Sequence, residues 1–134
     1  MSGEQIAHIR NRINATRVVD VDNDVVLLEY SATGSGQVLG NSVTDVATHV
    51  SKRYADGTET ATARFVVTSE SGQDQLALVG SAAGVVAAGG AVTFEGVLTG
   101  RATSGVFAEL NGVAILAEAT MDADGMVTHS WRRF

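Results

Sequence analysis

The stretch SGVFAELNGVAILAEATMDADGMVTHSW, Ser104 to Trp131, sets two carboxylates, Glu109 and Glu118, among runs of Val, Ala, Leu and Ile. Whether those acids point into a core or into water decides the fold and the chemistry it can carry. Asn111-Gly112 is the preferred pair for a two-residue type I′ hairpin, which sets Leu110 opposite Val113. Alternation outward from that turn places Val106, Ala108, Leu110, Val113, Ile115, Ala117 and Ala119 on one face. The other face carries Phe107, Glu109, Ala114, Leu116, Glu118 and Thr120. The first face is wholly apolar and is predicted to be the interior. Both acids are then wet, and their offset along strands rising roughly 3.4 Å per residue is too large for a carboxylate dyad.

The next turn, Asp122 to Gly125, offers two registers. A type I turn with a Gly bulge opposes Asp122 to Met126, whereas a two-residue turn opposes Ala123 to Met126. A slip of one residue would send every side chain of the last strand to the other face. Only the longer loop keeps apolar against apolar. It puts His129 and Trp131 inside, against Ala117 and Ala119, with Ser130 and Arg132 outside near Glu118.

The same grammar extends over the chain. Gly-containing turns separate runs rich in Val, Thr, Phe and Ala, predicting strands near 25–33, 43–54, 59–69, 75–81, 92–99, 104–110, 113–121 and 126–133. Residues 1–20 form an extended or short helical segment ahead of them, with Ile6, Ile9 and Ile13 spaced for one helical face. A two-residue turn at Asp56-Gly57 would collect Val46, Val50, Tyr54, Ala63, Phe65 and Val67 inside, leaving His49, Ser51, Arg53, Thr60, Thr62 and Arg64 outside. Phe94 and Leu98 are predicted inside and Glu95 outside. Consecutive strands on short connections make an antiparallel meander, and closure into a barrel removes its edges. The expected architecture is therefore all-β: one antiparallel up-and-down barrel of about eight strands over residues 1–134. Such a barrel is filled by side chains or holds one small ligand.

Composition bounds the function. The chain has 134 residues, 45% of them apolar and 18% charged, enough for one core and unlike a disordered segment. A net charge of −6 argues against nucleic acid, since Arg10, Arg12 and Arg17 are followed at once by Asp20, Asp22 and Asp24. No cysteine is present, which removes disulfides and thiolate chemistry. The first residues lack the apolar run of a secretion signal, so a cytoplasmic location is expected. From Leu76 to Phe94 nothing is charged, but the run is mostly Gly and Ala with no Lys or Arg at its ends. It reads as two strands about a Gly89-Gly90 turn, with no membrane span.

Other signals fail on spacing. Gly34-Ser35-Gly36 is not completed by Gly40 at the position a dinucleotide fingerprint needs, and no helix follows. Asp20 to Asp24 resembles the start of a calcium loop, but Val25 and Ser31 stand where Gly and Glu are required. Both stretches read as turns. Three scattered histidines make no metal site, no nucleophile elbow occurs, and no cofactor is expected.

What remains is the lumen. Many inward positions are small, so a cavity lined by Phe65, Phe94 and Trp131 is expected, with His129 as a polar contact. The alternative keeps Trp131 as a core plug and His129 as a satisfied core residue. In VVLLEYS either Glu29 or Tyr30 points inward. A buried Glu29 would have its ionised form penalised and would suit proton transfer, whereas an inward Tyr30 would donate to a ligand oxygen. Glu29, Tyr30 and His129 are the catalytic candidates.

The segment GRATSGVFAELNG, with Gly105, Phe107 and Gly112, resembles the Gly-x-Phe strand pattern of the allene oxide cyclase-like and dirigent-like small barrels, and TFEGVLTG before it fits their preceding strand. The fuller Gly-Gly-Thr-Gly form is replaced by Ala102-Thr103-Ser104-Gly105. The resemblance implies a closed barrel and, with bacterial natural-product cyclase barrels in the group, a cyclase or isomerase that works without metal or organic cofactor. Restraint of a flexible apolar substrate, a polyketide-type intermediate among the candidates, would supply rate through lost conformational entropy. Two other expectations stand beside it. One is a non-catalytic carrier or sensor of a hydrophobic ligand. The other is a homo-oligomer with a filled lumen and Phe107 and Leu116 in its contacts.

Overall fold

The structure, a computed structural model, describes residues 3–103 and 105–134. Eight strands follow one another: β1 (Gln5–Asp22), β2 (Val25–Val38), β3 (Asn41–Arg53), β4 (Thr58–Ser69), β5 (Gln75–Val86), β6 (Val92–Arg101), β7 (Ala114–Met121) and β8 (Met126–Arg133). Each pairs antiparallel with the next, and β1 pairs with β8 to close an up-and-down barrel. The predicted class holds, but the eight strands differ from those expected. The N-terminal segment is not helical; it is the longest strand, with Ala7, Ile9 and Asn11 buried on the barrel side.

Its place in the count is vacated by residues 105–110, which form a 3-10 helix. Ser104, the first residue of that expected strand, lies outside the described residues. Two causes are visible. Gly105 has φ +85°, a left-handed conformation no strand interior uses. Asn111 does not turn a hairpin either: its Oδ1 accepts from the Ala102 N–H (2.8 Å) and its Nδ2 donates to the Ala102 carbonyl (2.7 Å). The side chain so replaces a strand partner at the end of β6, and β6 pairs directly with β7. Phe107 and Leu110, three apart on the short helix, are fully buried and plug this end of the lumen. Phe107 is thus a core residue and not an oligomer contact.

The inside and outside of β3 are the reverse of the expected ones. Ala47, His49, Ser51 and Arg53 stand opposite Phe65, Ala63, Ala61 and Glu59, while Val46 is exposed. The loop at Asp56-Gly57 has three residues where two were predicted: Tyr54 and Thr58 are joined by a Tyr54 N–H to Thr58 carbonyl bond (3.0 Å), and Gly57 takes the left-handed position at φ +85°. That single extra residue turns β3 over. At the last hairpin the longer loop is the correct one. The Asp122 N–H bonds the Met126 carbonyl at 2.9 Å, Ala117 faces Trp131 and Ala119 faces His129.

Gly34 to Gly36, read as a turn, lies inside β2, with Gly34 beside Asn11 and Gly36 beside Ile9 in β1. A Cβ at Gly34 would collide with the backbone and Cβ of Asn11, so the glycine lets two strands approach at a bend of the wall. From Leu76 to Phe94 the chain forms β5 and β6, and no helix among the described residues is long and apolar enough to cross a membrane.

The core fills the end of the barrel that the 3-10 helix closes, through Ile9, Val38, Val67, Leu76, Phe107, Leu110 and Ile115. Toward the end where the β3–β4, β5–β6 and β7–β8 turns lie, the inward side chains shrink to Ala61, Ala82, Gly96 and Ala117, which leaves space in front of Trp131.

Candidate functional site

That space is a cavity of about 70 Å³. It is lined by Phe65, Phe94 and Trp131, by the small residues just named, and by Tyr30, His49, Ser51 and His129. Phe65 stands at the centre of an aromatic cluster, with ring centroids 5.1 Å from His49, 5.3 Å from His129 and 5.2 Å from Trp131, all edge-on. The two imidazoles are 6.2 Å apart.

His129 comes from β8, where the alternation Val127, His129, Trp131 faces inward. Its Nε2 lies 3.4 Å from Asn11 Oδ1, and Asn11 Nδ2 donates to Asp45 Oδ2 at 2.8 Å. All three residues are buried. The order of bonds fixes a tautomer. Because the Asn11 amide nitrogen is turned to Asp45, its oxygen accepts, so His129 carries its proton on Nε2 and keeps the Nδ1 lone pair. Burial lowers the pKa of His129 to about 3, helped by His49, and that of His49 to about 4. Both rings are neutral near pH 7, and the burial that keeps them so also makes each a weak base.

Tyr30 points inward from β2 and Glu29 outward. Burial, then the nearby Glu59, raises the Tyr30 pKa, with Arg53 opposing. The phenol is therefore kept as a hydrogen-bond donor. Glu29 bonds Arg17 in an exposed pair at 3.3 Å, so its surface position removes the reason for its candidacy. Glu59 is the glutamate that is buried: one oxygen takes both Arg53 bonds, at 2.8 and 2.6 Å, and the other has no partner among the described residues.

Of the residues expected in the lumen, the structure brings together Tyr30, Phe65, Phe94, His129 and Trp131. Sequence reading missed His49 and Ser51, which went outside with the misread β3 register, and the buried polar group Asn11, Asp45 and Glu59. The one signal for His49 and Ser51 lay in the length of the turn after β3, since a three-residue loop at Asp56-Gly57 turns both inward.

Three residues that line the cavity each hold a buried polar atom with no partner among the described residues: His49 Nε2, Ser51 Oγ and Trp131 Nε1. Such groups are rare in folded proteins and mark places where a ligand's polar atoms can be received. A larger trough of about 580 Å³ lies along the outer wall by Val50, Tyr54, Thr62 and Val97, but none of the buried unpartnered atoms belongs to a residue that lines only it. Among the described residues no three His, Asp or Glu side chains converge as a metal-holding group.

No protein-family model matches the chain, and no curated protein matches it. Solved structures do share its fold. A protein of unknown function from Clostridium acetobutylicum superposes with a TM-score of 0.83 at 12% identity, over 98% of this chain and 99% of that one. A conserved protein of unknown function from Rhodopseudomonas palustris gives 0.80 at 11% identity, over 98% and 96%. An enzyme from Penicillium herquei gives 0.67 at 16% identity, over 100% and 96%. At these identities the likeness establishes the closed eight-stranded barrel and leaves the activity to the site itself.

Proposed function

We propose that the barrel is a cofactor-independent isomerase or cyclase that receives the apolar, carbonyl-bearing end of a small molecule in its lumen. The observation that carries this reading is the set of unpartnered polar atoms on His49, Ser51 and Trp131 around an otherwise apolar cavity beside a neutral, tautomer-fixed His129. In this reading His129 Nδ1 removes a proton from the carbon next to a carbonyl, the negative charge of the enolate formed beside it stabilising the imidazolium that burial alone disfavours. The electron pair moves onto the oxygen as an enolate, which Tyr30 and Trp131 Nε1 stabilise by donating hydrogen bonds. Where a C=C bond is conjugated with the enolate, return of the proton from His129 to its far carbon completes an isomerisation; where a second carbonyl lies in reach, the enolate carbon attacks its carbon, the π pair moves to that oxygen, and the oxygen takes the proton back from His129 as the ring closes. Phe65 and Phe94 hold the substrate near its attack geometry. A volume of about 70 Å³ suits a small ring or the reacting end of a longer molecule. The allene oxide cyclase-like resemblance points to the same class of reaction, and the Penicillium herquei neighbour adds that a barrel of like fold serves as an enzyme.

The test uses small cyclic and aromatic ketones as probes in deuterated buffer. Binding is followed by Trp131 emission, and exchange of the protons next to the carbonyl by NMR. The wild-type protein is expected to bind and to accelerate exchange, with H129Q binding but losing the acceleration. Binding without exchange would instead establish a carrier, and no binding by any probe would remove the lumen as a ligand site.

A further inference from the structure

Strand β1 outruns the barrel. Its pairing with β8 ends at Arg12 opposite Met126, and a last bond runs from the Ile13 N–H to the Gly125 carbonyl. Its pairing with β2 continues to Asp22. From Asn14 to Asp22, one edge of β1 has no strand beside it among the described residues, and every residue of that stretch is exposed. Two register irregularities, between Ile13 and Ala15 and between Val18 and Asp20, sharpen the twist of this arm without supplying a partner.

Exposed edges are usually guarded by Lys, by Pro or by bulges. This one has two bulges but no Lys or Pro, and shows Val18 at 58% exposure, Val19 at 44% and Val21 at 62%. On the free stretch itself Arg17, which also bonds Glu29 of its own chain, stands before Val18, and Asp20 and Asp22 follow Val19. A strand basic in one half and acidic in the other is complementary to itself when antiparallel and repels itself when parallel.

We infer that this free edge of β1 is a dimerisation surface whose partner is a second copy of the chain. The two edges join antiparallel about a two-fold axis between Val18 and Val19. Val18 of each copy then stands opposite Val19 of the other, and Arg17 opposite Asp20. The interface is isologous, so it closes at two copies and does not propagate. Main-chain bonds supply affinity, as in other strand additions, and the charge order supplies direction.

Sedimentation equilibrium tests this directly. The wild-type chain is expected to be a dimer. Val19→Pro disrupts the backbone at the centre of the edge, and Asp20→Arg sets like charges opposite one another. Each should raise the dissociation constant by about tenfold or more. Because both sites are exposed, buried Trp131 should keep its emission, and should V19P misfold, D20R alone decides. Mixing R17D with D20R should restore a mixed dimer. A wild-type monomer at several hundred micromolar, or a dimer indifferent to D20R, would overturn the inference.

Discussion

Asn11 has one role and two partners, and both neighbours depend on which way its amide points. Asn11→Leu would take the donor from Asp45, whose pKa burial already raises, and the acceptor from His129. The expected cost is about 2–3 kcal/mol in urea unfolding, because a buried carboxylate loses its partner. A second readout separates this from mere packing loss: the 15N shifts of His129 should move from a single Nε2–H tautomer to a mixture, and retention of one tautomer would refute the fixing role. The buried imidazoles also set a pH dependence. In the unfolded chain each has a pKa near 6.5, against about 3 and 4 in the barrel. As pH falls below about 6.5 the unfolded chain takes up protons that the folded one refuses, so stability is full above that value and declines toward the folded pKa values. Between pH 6.5 and 5 the loss should reach about 2 kcal/mol per imidazole. Asp45, with its raised pKa, works in the opposite direction at lower pH. A urea midpoint at pH 5 equal to that at pH 7 would contradict the burial of both rings. At this scale His129 and Trp131 were legible because Val127, His129 and Trp131 alternate against Ala117 and Ala119. His49 was not, because nothing local distinguishes its position from that of Val50.

Register is decided in the turns, and there the sequence misleads in a specific way. The Asn-Gly pair, the strongest two-residue hairpin signal, is used to cap β6, whereas a tight two-residue connection from Val38 to Asn41 is made by Leu39-Gly40, with φ of 50° and 75°. Three other hairpins share one design: a strand pair closed around three residues, with a glycine in the left-handed position just before the second strand. They are Tyr54 to Thr58, Ala87 to Ala91 and Asp122 to Met126. Applying that loop length at Asp56-Gly57, as at Asp124-Gly125, would have placed His49 and Ser51 inside. The shared geometry predicts shared energetics. Gly57→Ala and Gly125→Ala should each cost about 1 kcal/mol in urea unfolding, since φ of 85° and 87° suits no Cβ, although neither position is sterically crowded. A neutral effect at either would mean that its loop relaxes into another turn type. The β6–β7 connection fails differently. Asn111→Ala should cost about 1–3 kcal/mol, because the N–H and carbonyl of buried Ala102 lose their partners together.

Closure is a property of the whole chain, and a meander pattern alone implies it without saying which strand completes it. Residues 5–22 carry mixed charges and isoleucines at helical spacing, so their local pattern does not announce the strand that seals the barrel. Only pairing with two distant partners, β2 and β8, makes them regular. This places the cavity under long-range control. Trp131, the sole tryptophan and fully buried, sits directly opposite Ala7, and His129 opposite Ile9. A chain starting at Arg12 would lose both neighbours along with Asn11, leaving β8 as an open edge beside the candidate site. Its Trp131 emission should shift to the red, and its urea transition should broaden as the one cooperative unit loses its seam. Adding back a peptide of residues 3–13 should restore the blue emission if β1 acts by pairing, because the missing segment is extended and makes its bonds to β8 and β2 over that length. If the truncated chain keeps a blue, sharp transition, the barrel closes without β1. The wall that holds His129 would then be built by another strand, and the Asp45–Asn11–His129 chain could not be what orients the imidazole.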